Sequence, residues 1–195
     1  MTIAILGQGS MGKALAGRLA GHAVALGARH PKAGELSYAD AVAKAEIVVL
    51  ALPFDHALEA ARTLDLSGKI VVDMTNPITP DFAGLRFGHS TSAAEEIQKA
   101  APSARVVKAF NTIFAAIFDA PVAQTRTIPV FIAGNDEAAV AAVADLATKA
   151  GFGVENAGSL DAARLIEPVG MLNIRFGYGL GRGTSIAPVW VKLAA

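Results

Sequence analysis

Gly7-Gln8-Gly9-Ser10-Met11-Gly12 is the stretch of this chain whose chemistry is most legible. Its glycines follow a buried-strand run, Ile3-Ala4-Ile5-Leu6, and open a helical pattern, the context in which such a turn cradles a pyrophosphate. Gly7 permits the tight turn, Gly9 lets phosphates approach the backbone, and Gly12 lets helix and strand pack closely. The helix start then offers unpaired N–H donors and partial positive charge. An NAD site wants a carboxylate about 20 residues further on, to accept from the ribose 2′-OH. Here the chain reads Gly27-Ala28-Arg29-His30-Pro31-Lys32, with no acid before Glu35. Arg29, with Lys32 near it, suits a 2′-phosphate, so NADP is expected rather than NAD.

Other catalytic constellations are missing. The four histidines (His22, His30, His56, His89) stand at no metal-ligand spacing, so no metal site is expected. His22 reads as structural, and His56 as a helix-start residue near where a nicotinamide would lie. Glu167, beside Pro168 on the terminal helix, is a candidate site residue or a cap, and reads as structural. There is no cysteine, and neither a nucleophile elbow nor a paired-carboxylate arrangement stands out. A carbonyl or imine reductase usually needs a proton donor. Hydride passing between two redox cofactors mainly needs the donor and acceptor carbons close and aligned. The missing acid/base pair therefore leans toward a cofactor-to-cofactor oxidoreductase. It fits equally a non-catalytic NADP-binding module that senses redox state.

The elements that must position these residues alternate short β-branched runs with helical patterns, the rhythm of a parallel sheet covered on both faces. Strands are expected at Ile3–Leu6, Val24–Leu26, Ile47–Leu52, Ile70–Asp73, Arg105–Phe110 and Pro129–Ala133. Helices are expected over Ser10–Ala20, from Ser37 to about Ala45, after Asp55 as cap, after Ser92 in a capping box, and after Asn135 as cap. The Pro/Gly-bearing stretch Asn76–Thr91 is long for a mere connection and reads as a lid or binding loop. Leu160–Phe176 is helical with a kink or restart at Pro168, Gly177–Gly183 is a flexible connection, and a final strand is expected near Ile186–Leu193. The fold class is α/β: a Rossmann-type doubly wound, mainly parallel sheet with a small C-terminal helix-and-strand appendage. Residues 1–158 form the NADP-binding domain, and 159–195 complete the acceptor site or a dimer contact.

Composition narrows the function classes. The 195 residues carry 17 Lys+Arg against 17 Asp+Glu, and this balance argues against nucleic acid as the main partner. Apolar residues at 53% promise a large core. The longest apolar stretch, Ile47–Phe54, is far short of a spanning helix, and Met1–Leu6 has no basic leader character. No membrane partner and a cytoplasmic location are expected.

Several segments, in their order and spacing, resemble the NADPH-dependent deazaflavin reductases (NADPH:coenzyme F-420 oxidoreductases), a family that is itself similar to the cytosolic domain of membrane ferric reductases. They are Gly7–Gly12, Gly27-Ala28-Arg29, Leu50-Ala51-Leu52-Pro53-Phe54-Asp55-His56-Ala57, Lys69–Pro77, Ser92–Glu95, Val107-Lys108-Ala109-Phe110-Asn111-Thr112 and Gly158–Arg164. The resemblance implies that Gln8, Ser10 and Met11 line the pyrophosphate turn and that Arg29 meets the 2′-phosphate. It implies that Leu52, Pro53 and Phe54 bracket the ribose and nicotinamide with Asn76 nearby. Asn111, Thr112 and Ile113 would lie between nicotinamide and acceptor. It implies a small-molecule acceptor, a deazaflavin or flavin, and a homodimer. Two positions depart from the pattern: Ala28 replaces a serine common in the phosphate turn, and Asn111 stands where some deazaflavin reductases have histidine. The glycine turn also resembles β-hydroxyacid dehydrogenases and pyrroline-5-carboxylate reductases, but those need a helical second domain and too little chain follows Gly158.

Overall fold

The computed structural model describes residues 1–191 and 193. Its eight strands, β1 (Thr2–Leu6), β2 (Ala23–Ala28), β3 (Leu36–Ser37), β4 (Ile47–Leu50), β5 (Ile70–Asp73), β6 (Arg105–Lys108), β7 (Pro129–Gly134) and β8 (Gly153–Gly158), form one sheet in the order β3-β2-β1-β4-β5-β6-β7-β8. All neighbours are parallel except β6 and β7, which run antiparallel. Chain order reverses between β1 and β4, the place where open α/β sheets bind ligands beyond the carboxyl ends of their strands.

Period-two alternation fills both faces. Ile3, Ile5, Ile47 and Val49 enter the core beneath α1 (Ser10–Arg18) and α6 (Glu137–Lys149). Ala4, Leu6, Val48 and Leu50 enter the one beneath α2 (Tyr38–Ala43), α3 (Phe54–Thr63) and α4 (Ala93–Ala100). Strands buried on both sides need no polar residues, which is why their sequence reads as continuous apolar runs.

The caps divide. Ser92 accepts from the third amide of α4 as expected, and Ser37, expected as the first residue of α2, stands just before it as the cap and accepts from its third amide. Asp55 does not cap α3: Pro53 stands at that cap, and the Asp55 carboxylate is drawn to Arg86 in a two-pronged pair at 2.6 and 2.9 Å. Asn135 is one residue early. Asp136 caps α6, while the Asn135 side chain accepts from the Leu160 amide.

The C-terminal region departs further. β8 lies at an open edge with Glu155 and Asn156 exposed, so its sequence lacks the apolar signature of a strand. A short turn of α5 (Val122–Thr125) leads into β7. Helix α7 (Ala163–Ile174) runs through Pro168 without restarting and widens into a π-turn over Arg175–Gly179, which takes in part of the stretch read as a flexible connection. Among the described residues the expected last strand is not formed. Ile186–Val191 and Leu193 carry no strand, and Lys192 lies outside the described residues. Val189, Trp190, Val191 and Leu193 are largely exposed, and Trp190 meets the Phe131 ring edge-on instead of joining a sheet. A β-branched run becomes a strand only when a pleated, half-buried surface receives it.

Candidate functional site

Every residue singled out by the glycine-turn argument lies at the carboxyl edge of the sheet. Gly7 follows β1 with φ +111°, and a Cβ there would fall 2.3 Å from the Ala51 carbonyl oxygen at the end of β4. A Cβ on Gly12 would fall 2.0 Å from the Gly7 carbonyl oxygen. Both positions are closed to any side chain. Gly9 differs: a Cβ there meets no protein atom within 4 Å, so this part of the turn opens onto free space. Gly9 also caps α1 without any side-chain acceptor, leaving the first amides of the helix, those around Ser10 and Met11, free for an anion. Gln8 is half-buried beside them. These features fit a dinucleotide pyrophosphate.

Arg29 follows β2 and is half-exposed, its Nη2 2.9 Å from Glu59 of α3. The Lys32 side chain is exposed in the following turn, whose backbone amide donates to Glu35. Leu52 abuts Gly7, and Pro53 starts α3. The Phe54 ring is buried in the core, edge-on to Phe87 at 5.4 Å, so it shapes the turn from within and presents no ring to the crevice.

Beyond β5 and β6 lies a cavity of about 250 Å³ bounded by Ser10, Met11, Asn76, Asn111, Ile113 and Gly170, among others. Asn76 donates to the Asn111 carbonyl at 2.8 Å, and the Asn111 amide donates to Asn76 Oδ1 at 2.9 Å. Gly170 of α7 is pressed onto this pair: a Cβ would lie 2.6 Å from Asn76 Oδ1. Phe110, fully buried, takes φ +62°, and this strained bend turns Asn111 toward the cavity. Asn111 Oδ1 and Thr112 Oγ1 are buried without a partner. A carboxamide such as that of nicotinamide supplies the N–H donors that Asn111 Oδ1 lacks. Among the lining residues there is no carboxylate, histidine or lysine; the titratable group is the Tyr178 phenol at the rim.

Behind the two asparagines sits a cluster that the sequence reading missed. Lys108, fully buried, donates to Asp73 Oδ2 at 2.9 Å, Glu167 Oε1 at 2.8 Å and the Thr75 carbonyl at 2.5 Å. Asp73 Oδ1 accepts from the Thr75 amide, and Glu167 also accepts from Ala93 and Ala94 at the start of α4. The cluster thus fixes the bend that leads to Asn76 and ties α7 to the sheet. Glu167 is a cap, but of another helix. A signal was present: Asp73 and Lys108 end two apolar runs and face each other in register across β5 and β6. Burial would lower the lysine, but the two carboxylates hold it above its ordinary value.

Burial pushes the Glu167 carboxyl above its ordinary value; Lys108 opposes this and Asp73 adds to it. A carboxyl raised by folding contributes stability that is full below its unfolded value and is lost as pH rises through the folded one. The unfolding free energy of the protein minus that of Glu167→Gln should therefore fall as pH rises from the carboxylate range toward neutrality. Urea titrations at stepped pH read this difference, and a rise would contradict the assignment.

Among the described residues no three His, Asp or Glu side chains are grouped to hold a metal, and no helix is long and apolar enough to cross a membrane.

Residues 2–77 match the family model described as NADP oxidoreductase coenzyme F420-dependent. The F420-dependent NADP reductase of Methanocaldococcus jannaschii is 30% identical over 202 residues, covering 87% of this chain and 89% of that protein. A candidate F420-dependent NADP-reductase from Arthrobacter sp. FB24, known as a crystal structure, superposes with a TM-score of 0.84 at 33% identity, covering 98% of this chain and 100% of that one. Metalloreductase STEAP3 of Rattus norvegicus is 33% identical over 180 residues, which cover 86% of this chain but 36% of the metalloreductase, so the chain spans about a third of that relative.

Proposed function

The chain belongs to the family of coenzyme F420-dependent NADP oxidoreductases, and from that premise we propose that it transfers a hydride between NADP(H) and a deazaflavin or flavin-type acceptor. It is an NADPH-dependent oxidoreductase; the acceptor and the residue roles are the proposal. The observation that carries it is the wall of the Asn76–Asn111 cavity, which offers carboxamides, hydroxyls and apolar surface but no carboxylate, histidine or lysine to move a proton. Such a wall suits a reaction in which orientation supplies most of the catalysis.

The nicotinamide supplies or receives the hydride when bound. Amides from Gly7 to Gly12, with Gln8, Ser10 and Met11 around them, hold the pyrophosphate. Arg29, assisted by Lys32, holds the 2′-phosphate. Leu52, Pro53 and the backbone of Phe54 border the ribose, and Asn76 and Asn111 orient the carboxamide. Ile113, buried beside them, keeps water from the reacting face. In this reading residues 159–195 complete the acceptor side. The protein acts in the cytoplasm as a homodimer joined through that segment, whose Leu165, Leu172 and Trp190 leave apolar surface exposed.

Mixing the protein with NADPH and, separately, a deazaflavin, FMN and a ferric chelate tests the reaction by loss of nicotinamide absorbance. Turnover with a ring acceptor is expected. Tight NADPH binding with no turnover across the panel would leave a sensing module in its place.

A further inference from the structure

A second cavity, of about 580 Å³, adjoins the first, with Ile174 and Tyr178 in the walls of both. Its other walls are Phe82 and Ala83 from the Asn76–Thr91 loop and Met171, Gly179 and Leu180 from the C-terminal helix region, with Arg175 between them. The volume is within the range of small-molecule sites, roughly 300–1,000 Å³.

Phe82 is unusual in this wall. Its φ is +58°, in the left-handed region where glycine and asparagine are at ease and a bulky side chain is strained. Burial does not compensate, because Phe82 is 73% exposed. The conformation is imposed by its turn: the Phe82 amide donates to the Thr79 carbonyl, while Asp81 Oδ1 accepts from the Thr79 hydroxyl and the Ala83 amide. The Thr79 amide in turn donates to the Gly84 carbonyl. The fold thus holds an exposed ring, in a strained backbone, at the lip of an apolar cavity. The wall carries a second exposed aromatic, Tyr178, 70% exposed and steadied edge-on by Phe114 at 5.5 Å.

We propose that Phe82 is a specificity residue that stacks on a planar, multi-ring redox acceptor seated in this second cavity, whose wall also carries Tyr178. This rests on the hydride-transfer reading, since an acceptor there has one edge at the Asn76–Asn111 cavity. Aromatic stacking accounts for both oddities: the ring is exposed because its partner is a ligand, and the turn-imposed backbone directs the side chain to the cavity lip in advance.

The test uses NADP⁺-loaded protein and direct titration with FMN and with a deazaflavin, followed by ligand fluorescence. Phe82→Gly and Phe82→Asn both tolerate the left-handed turn, so both should fold, and their melting temperatures should be no lower than that of the parent. Their dissociation constants for the ring ligands should rise about five- to tenfold while that for NADPH stays unchanged, and Phe82→Trp should restore the parent affinity. Unchanged ring-ligand affinity, an equal rise for NADPH, or no ring-ligand binding by the parent protein would overturn the proposal. Turnover by the parent protein is a separate measurement: it judges the hydride-transfer reading, and either result can fail while the other stands.

Discussion

Arg29→Ala should weaken NADPH binding by about 10- to 100-fold and leave NADH binding nearly unchanged. A hydrogen bond to a charged group nets roughly 1.5–3 kcal/mol, which corresponds to about that range in affinity. The 2′-phosphate is the group that distinguishes the two cofactors, so an effect on one alone identifies its reader. In the structure Arg29 already has an anionic partner, Glu59, at 2.9 Å. Both side chains are about half exposed, and such a surface pair contributes only about 0–1 kcal/mol. A doubly charged phosphate therefore competes well for the guanidinium, and Glu59 serves to keep it near the end of β2 until then. Calorimetric titration with both cofactors at fixed ionic strength checks this. Equal losses for NADPH and NADH would show that Arg29 reads something common to both, leaving the phosphate to Lys32.

The largest effect on stability is expected at Lys108. Lys108→Met removes one cation from between two buried carboxylates, Asp73 and Glu167. Breaking a buried ion pair from one side costs about 3–5 kcal/mol, because the remaining charge is left without a partner. The loss should depend on pH with a definite sign. Without the lysine nothing opposes the burial that already raises the Glu167 carboxyl, so its folded value moves further above its unfolded one. Stability is then kept below the unfolded carboxylate range and lost as pH rises through the folded values. The variant should therefore be closest to the parent in acid and furthest from it at neutrality. Urea unfolding at stepped pH, with an unchanged slope against denaturant, reads both the size and the trend. A pH-independent loss would indicate that the side chain mattered for packing alone. Cofactor affinity should suffer as well, since Lys108 also holds the Thr75 carbonyl, one residue before Asn76.

The comparison of sequence with structure separates features carried by chain neighbours from those carried by distant pairs. Ile47–Leu50 and Ile70–Asp73 were legible because burial on both faces leaves an unbroken apolar run. Gly12 was legible because a helix pressed onto its own turn needs glycine there, and Gly7 from its place in that turn, although what a side chain would strike at Gly7 is Ala51, far along the chain. Ser37 and Ser92 cap within their own first turns. Asp55 failed as a cap because Arg86, 31 residues away, competed for it. β8 was missed because an edge strand with exposed polar residues has no apolar signature. In the range Ile186–Leu193, where a strand was expected from composition, the described residues carry none, and Trp190 packs edge-on against Phe131 instead.

The order of residues along the chain determined the central strands of the doubly wound sheet and the glycine turn that joins β1 to α1, because apolar periodicity and turn chemistry are set by neighbours along the chain. Tertiary structure alone decided the rest: that Lys108 would be neutralised by residues 35 and 59 positions away, that Gly170 would close onto Asn76 and Asn111, and that Phe82 would be held exposed over an open cavity. Local periodicity is set by backbone geometry and can be read residue by residue. The meeting of charges and carboxamides across β5, β6 and α7 is set by how separate elements pack, and no spacing along the chain encodes that distance.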